Sequence, residues 1–325
     1  MAARMPDLDS RAEAQLVKPP LIGASLSAAA LRRVLDAHRA WLEGRLEGQR
    51  ACLAGIVLSD AMLEGENLER ADLHSANFID ARMSRAVLSG ANLRLADLGN
   101  AILIEADLSA ADLTEARLEL ALLAHANLAE SHLAGTILRR ANLRAARLPD
   151  AAMDNCDFAD AVLREASLHQ AKAFECNFAG ADLTDAKLYH VTFRCCRLPN
   201  IAAYGSNWTT STVHNCDFRN ADLSAARLDR CDLAQSAFWR ANLRGSSLQQ
   251  ARLNGADFES ADLAGARLHE SVTMGANLRG ADLRGATGLT PTQLSRARTD
   301  AKTILPDGSH GPYMLGSSAH RSARY

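Results

Sequence analysis

The chain has 325 residues, with 38 acidic side chains against 36 basic ones, a formal net charge of −2, and 48% hydrophobic residues of which few are aromatic. Near-neutrality excludes a polybasic arm or an acidic disordered chain as the dominant character, and no apolar run approaches the roughly 18 residues a helical membrane span needs. Seven cysteines, an odd number, and no signal-peptide core between Met1 and Pro20 point to reduced thiols in a soluble, cytoplasmic protein.

Residues 1–24 are mixed in charge and contain Pro19-Pro20, which predicts a flexible arm. Within 25–50, Ser27 is a fitting N-cap for a helix over Ala28–Glu47. Leu31, Val34, Leu35, His38, Leu42 and Leu46 fall on one face of it, with Trp41 at the margin.

From Ala51 to Ala286 a bulky apolar residue returns at every fifth position. Of the 47 positions from Leu53 to Leu283, 42 are Leu, Phe or Met, the exceptions being Ala173, Ala203, Trp208, Val213 and Thr273. Two residues before each centre stands a small residue, Ala in 31 units. A period of five is neither 3.6 nor 2, so it is an internal repeat rather than a helix face or an ordinary strand. The centre and the residue two before it share one side of a short extended segment, and the remaining two residues turn the corner. Twelve of the 13 glycines in this region lie two after a centre, where a turn favours positive φ.

Ala71-Asp72-Leu73, Ala91-Asn92-Leu93, Ala111-Asp112-Leu113, Ala181-Asp182-Leu183 and Ala261-Asp262-Leu263 resemble the A(D/N)LXX unit of the pentapeptide-repeat family. The resemblance covers roughly 230 residues. It implies an all-β, right-handed quadrilateral β-helix of four pentapeptides per coil, here about twelve coils, with function left open. Ala37–Glu43 resembles the helix that precedes the repeats in many family members, and such a helix would cap the open end of the first coil. Length alone suggests about two domains, but one stacked solenoid with terminal caps accounts for the whole chain.

Coils of four units place Phe78, Phe158, Phe178, Phe218, Phe238 and Phe258 in one column, with Phe193 outside it. Cys156, Cys176, Cys196 and Cys216 occupy the small inward position on the same face. A linear stack cannot wrap one metal ion tetrahedrally, so these cysteines read as small buried hydrophobes and no metal or other cofactor is expected.

Inward positions are committed to packing, so function is sought outside. Ile102 and Leu122 are outward and one coil apart, with Ile104 and Leu120 beside them; contiguous exposed apolar groups mark a contact surface. Between Tyr189 and Cys216 three successive centres depart from Leu or Phe. A bulged or distorted coil is expected there, with Tyr204 and Trp208 as an aromatic contact patch. A metal site built from His190, Cys195, His214 and Cys216 fails because the cysteines point to opposite sides.

No phosphate loop, nucleophile elbow or zinc-protease motif is present, and the chain reads as non-enzymatic. Arg147, Lys187, Arg227 and Arg267 form a sparse basic column, but Asp107 and neighbouring acids interrupt it, which argues against direct nucleic-acid binding. Residues 287–309 are expected to form a C-terminal cap: Thr290-Pro291-Thr292-Gln293-Leu294 suggests a short capped helix, and Asp300–Gly308 a returning edge strand. This closing pattern also resembles the tail of many family members. Residues 310–325 read as a disordered tail.

Two functions are consistent with this reading. One is a protein–protein interaction scaffold presenting the Ile102/Leu122 patch to a protein partner, or to a second copy in a homodimer. Within the family it resembles the repeats attached to bacterial secretion-system accessory proteins. The alternative is a DNA mimic similar to the quinolone-resistance branch, which shields a type II topoisomerase (DNA gyrase). Residues 51–130 sum to −8 and 131–286 to +1, so only the first coils have the acidity that branch shows.

Overall fold

The computed structural model describes residues 23–314. Each five-residue unit has the same anatomy. The centre and the small residue two before it point inward, and every centre from Leu53 to Leu283 is at most 4% exposed. The residue between them faces outward and pairs in parallel with its counterpart one coil on, as in Asn92↔Asp112↔His132. Glu69 and Arg70 illustrate the corner: the Ala71 amide donates to the Leu68 carbonyl at 3.0 Å, closing a turn in which Arg70 has φ +58°. All 47 corner positions have positive φ, and 35 of them are not glycine. Glycine therefore relieves strain there but is not required. A left-handed residue costs on the order of 1 kcal/mol, offset by the ladder bonds that each corner makes possible.

The Asp or Asn before each centre has a local reason too. Its Oδ1 accepts the backbone N–H two residues on, as Asp112 does from Thr114 at 3.0 Å, steering the chain into the corner. Stacked pairs add a rung: the Asn92 amide donates to Asp72 at 3.0 Å and that of Asn242 to Asp222 at 2.9 Å.

Four units per coil give four faces, numbered here by their centres: face 1 through Leu53 and Leu73, face 2 through Leu58 and Phe78, face 3 through Leu63 and Met83, face 4 through Leu68 and Leu88. Inside, Phe158–Phe178 and Phe218–Phe238–Phe258 stack on face 2 with centroids 4.7–4.9 Å apart. Leu198 interrupts the column; Phe193 from face 1 stacks on Phe178 at 5.4 Å, and Trp208 from face 4 meets Phe193 and Phe218 edge-on, bridging the gap.

The bulge expected at 189–216 is absent. Ala202↔Asp222, Asn207↔Arg227 and Thr212↔Asp232 keep the one-coil register, and Asn200, Gly205, Thr210 and Asn215 keep positive φ. Redistributed volume explains why: Ala203 lies half a coil from Phe193, and Trp208 fills the remaining space, its indole N–H donating to Ser206 at 2.8 Å.

On face 1 the ladder widens into a four-stranded parallel sheet of β1 (Ala152–Asp154), β2 (Lys172–Phe174), β3 (Thr192–Arg194) and β4 (Thr212–His214). The corners after these strands are those that hold Cys156, Cys176, Cys196 and Cys216, and they lack the turn hydrogen bond found at most other corners. The freed Met153 carbonyl accepts from the Cys176 thiol of the next coil at 3.0 Å, and the freed Val213 carbonyl from the Ser236 hydroxyl at 2.8 Å. Cys176, Cys196 and Cys216 thus do more than fill space: they satisfy carbonyls that opened turns leave behind, while Cys156 adds a bond to the Leu133 carbonyl of a closed turn. All seven cysteines are free thiols.

The ends are closed differently. Gly23 and Ser25 already pair with the first coil, through Gly23 N–H to the Gly55 carbonyl at 2.8 Å and the Ser25↔Val57 bridge. The expected flexible arm therefore stops earlier, and its residues 1–22 lie outside the described residues. Helix α1 spans Ala28–Leu42 behind the Ser27 cap. It stops short of the expected Glu47, because Gly44 turns left-handed (φ +71°) and the Gly44 and Arg45 amides close on Trp41 and Ala40. Leu46 consequently sits fully exposed rather than on the buried face with Leu35 and His38.

At the far end α2 (Pro291–Arg296) starts with a reciprocal capping box between Thr290 and Gln293. Arg298 and Ile304 then bridge Asn277 and Asp282 of the last coil. His310 pairs back on Ile304, and the Tyr313 amide donates to Thr299 at 2.9 Å, so the tail expected to be disordered from residue 310 is ordered to 314. Residues 315–325 lie outside the described residues.

Candidate partner-binding face

Face 3 gathers most of the outward apolar residues singled out in the sequence. Ile102 and Leu122 are bridge partners on consecutive coils, Ile104 follows on the same face, and Leu120 stands at the corner leading to it. Leu120 and Leu122 are 44% and 37% exposed, Ile102 and Ile104 half-buried. Tyr204, 53% exposed, stands in the Ile104 column five coils further along. Trp208 does not belong to this group: it is 0% exposed, and its ring is locked between Phe193 and Phe218. Centres point inward whatever their size, so the aromatic contact patch reduces to Tyr204.

Sequence reasoning missed Met62, which heads the Ile102 column two coils earlier and is 63% exposed. Its spacing from Ile102, a whole number of coils, was the available signal. It also missed Glu66, an acid at an inward position. The residue is tolerated because it lies in the first coil, where Arg32 and Arg39 of α1 reach it at 3.1 and 3.6 Å.

The acids of the first coils do not form one negative face. Asp60 and Asp80 share one corner column, while Glu105, Glu115 and Glu130 stand on the other three. Several are neutralised locally, as Glu105 is by Arg85 at 2.8 Å, which holds its carboxyl below the usual range.

Inside, burial pushes the Cys231 thiol up to about 12, and contacts with Cys156 and Cys196, reinforced by burial, push Cys176 up as well. Among the described residues no cluster of three or more His, Cys, Asp or Glu is placed to hold a metal ion, and no helix is long and apolar enough to cross a membrane.

Comparison with known proteins agrees with the geometry. A "Pentapeptide repeats (8 copies)" family model matches in overlapping stretches from 51 to 200, and a "Pentapeptide repeat region" model matches 211–287. No curated protein matches the chain. Among solved structures, the chain is similar to HetL, a pentapeptide repeat protein involved in heterocyst differentiation regulation from the cyanobacterium Nostoc sp. strain PCC 7120. Identity is 26%, over 88% of this chain and 100% of that one, with a TM-score of 0.38. A trypsin-treated form of QnrB1, a plasmid-mediated fluoroquinolone resistance protein, is 19% identical over 49% and 88% of the two chains, with a TM-score of 0.28. A pentapeptide repeat protein from the Arabidopsis thaliana thylakoid lumen is 21% identical over 41% and 81%, with a TM-score of 0.21. Assignment to a family rests on the repeat models, which together cover more than two thirds of the chain.

Proposed function

Because the chain belongs to the pentapeptide repeat family, we propose that it is a non-enzymatic interaction scaffold that docks a protein partner on face 3 of its solenoid. The observation that carries this reading is the pairing of Ile102 with Leu122 and Leu120 beside them, an apolar cluster on a rod whose other outward positions are mostly polar. Met62 and Tyr204 stand on the same face but apart from the cluster, Met62 beyond Arg82 and Tyr204 beyond Asn142 and Asp182. A rigid face needs no ordering on binding, so the affinity such contacts supply is not spent on conformational entropy. Seven free thiols suit a reducing compartment, which supports a cytoplasmic site of action.

The test is a quantitative pull-down with the full chain as bait, repeated with Ile102→Asp and Leu122→Asp, and sedimentation of the purified protein alone. Loss of the same partners from both variants supports the reading, and concentration-dependent sedimentation abolished by them would identify the partner as a second copy. Recovery of an unchanged partner set by both variants, with unchanged sedimentation, rejects face 3 as the contact surface.

A further inference from the structure

Face 4 has a regular outward column in its later coils, with consecutive bridge partners Arg147, Ser167, Lys187, Asn207, Arg227, Ser247 and Arg267. Cations alternate with short polar residues, so successive charges are two coils, about 10 Å, apart. All four cations are exposed, and among the described residues none of them has a side-chain hydrogen bond or ion-pair partner. Ten other solenoid arginines pair with a carboxylate, while Arg82, Arg140, Arg194, Arg197 and Arg279 outside this column do not; the column differs in aligning its cations on one face. The four cations of this column thus have no direct salt-bridge partner, and the acids nearest Arg227 in the cleft are Asp229 and Glu270.

The alternation also shapes the surface. Ser247 is buried between exposed Arg227 and Arg267, and beside Arg227, at the corner that follows, opens a cleft of about 370 Å³. Arg227, Arg230, Gln249, Gln250, His269 and Glu270 are among the residues that line it. Its Asp229 wall is fixed: Asp229 accepts from the Ser247 hydroxyl behind it and from the Gln249 backbone N–H at 3.2 Å. Its rim is braced by Arg230 donating to Gln250 at 2.9 Å and Gln250 to Glu270 at 2.7 Å. Further along the same face the rings of His169 and Tyr189 meet at 4.4 Å, a half-buried aromatic shelf.

We propose that face 4 binds an acidic polysaccharide, a chain bearing both carboxylates and hydroxyls, with the cleft beside Arg227 as its best-formed subsite. Carboxylates answer Arg227 and Arg267 through charge-assisted hydrogen bonds. Hydroxyls answer the rest of the lining as donors: among the described residues Asp229 Oδ2, Glu270 Oε1 and the Gln249 side-chain carbonyl have no hydrogen-bond partner, whereas both ends of the Gln250 amide are taken. A nucleic-acid backbone presents phosphates that only accept, and Asp229 and Glu270 repel them. The shelf at His169 and Tyr189 offers an apolar surface to a sugar ring. This ligand uses a different face from the protein partner proposed above, so either assignment can fail without the other.

Calorimetric titration of the full chain distinguishes the ligand classes. The probes are an oligogalacturonate of defined length, a neutral gluco-oligosaccharide of the same length, and a single-stranded oligonucleotide of the same charge. Expected is binding of the uronate alone, weakened by salt and weakened roughly tenfold or more by Arg227→Ala with Arg267→Ala. Glu270→Gln should improve the oligonucleotide more than the uronate, because only the uronate loses a strong acceptor for its hydroxyls. These residues are exposed, and unchanged thermal melting verifies that the variants fold. Absent uronate binding, equal binding of the neutral sugar, tighter binding of the oligonucleotide, or an arginine double variant that binds like the parent would each overturn the proposal.

Discussion

Trp208 and Cys176 show how one position in the five-residue unit decides the fate of a side chain. Trp208 is a centre, so its indole is interior and its N–H needs the Ser206 hydroxyl. Trp208→Ala should cost about 3–5 kcal/mol, read as a lowered denaturation midpoint with the ladder around 189–216 exchanging first. Cys176 occupies the small inward position and serves the Met153 carbonyl. Ser211 and Ser236 serve the Leu188 and Val213 carbonyls from equivalent positions at 2.6 and 2.8 Å. Cys176→Ser should therefore be close to neutral, whereas Cys176→Ala leaves a buried acceptor unmet at about 1–3 kcal/mol. Equal stability of the two variants would show that the thiol acts only as volume.

Among the elements, α1 depends on two polar contacts that its apolar face does not reveal. His38 is buried and its Nδ1 accepts from the Ala51 amide at 3.0 Å, tying the helix to the first coil as a neutral imidazole. Burial lowers its pKa below the ordinary value of 6.5. The unfolded state therefore binds the proton more readily, and the cap's contribution is complete above pH 6.5 and falls as the pH drops below it. Hydrogen exchange at the Ala51 amide should accelerate between pH 7 and 5 relative to amides of the central coils, and His38→Gln should flatten that dependence. Glu66→Ala removes the carboxylate that Arg32 and Arg39 share, and should loosen α1 while leaving coils beyond Leu93 unchanged in the same measurement.

For the molecule as a whole, a stack of like coils behaves as a one-dimensional array in which each coil meets only its neighbours. Deleting positions 91–110, one full coil, should leave a shorter rod with every column in register and a melting transition lowered by a few degrees. Deleting a single unit, 91–95, advances every later column by one face and should cost far more. Similar melting of the two deletions would contradict a four-sided coil. Acid should unravel the C-terminal coils as carboxylates lose their partners. Arg284 holds the Asp282 carboxyl below its ordinary 3.8, so that contribution is present above this value and disappears as the pH falls through the lower folded value.

The buried columns, the corner positions and the outward Asp or Asn were legible in the sequence, because a strict period of five assigns each residue to inside, outside or corner without reference to distant residues. Ile102, Leu122 and Tyr204 were legible as surface residues for the same reason. That Trp208 is interior followed from its place as a centre, although its size suggested a contact patch. What only the tertiary structure decided are the relations between coils: Ala203 compensated by Phe193 and Trp208, carbonyls of opened turns taken by thiols one coil on, Glu66 paired with α1, and the cleft beside Arg227 in the column of unpaired cations. Those depend on which side chains, from a quarter of a coil to two coils apart in sequence, come to lie against one another, and that proximity exists only once the coil has closed and stacked.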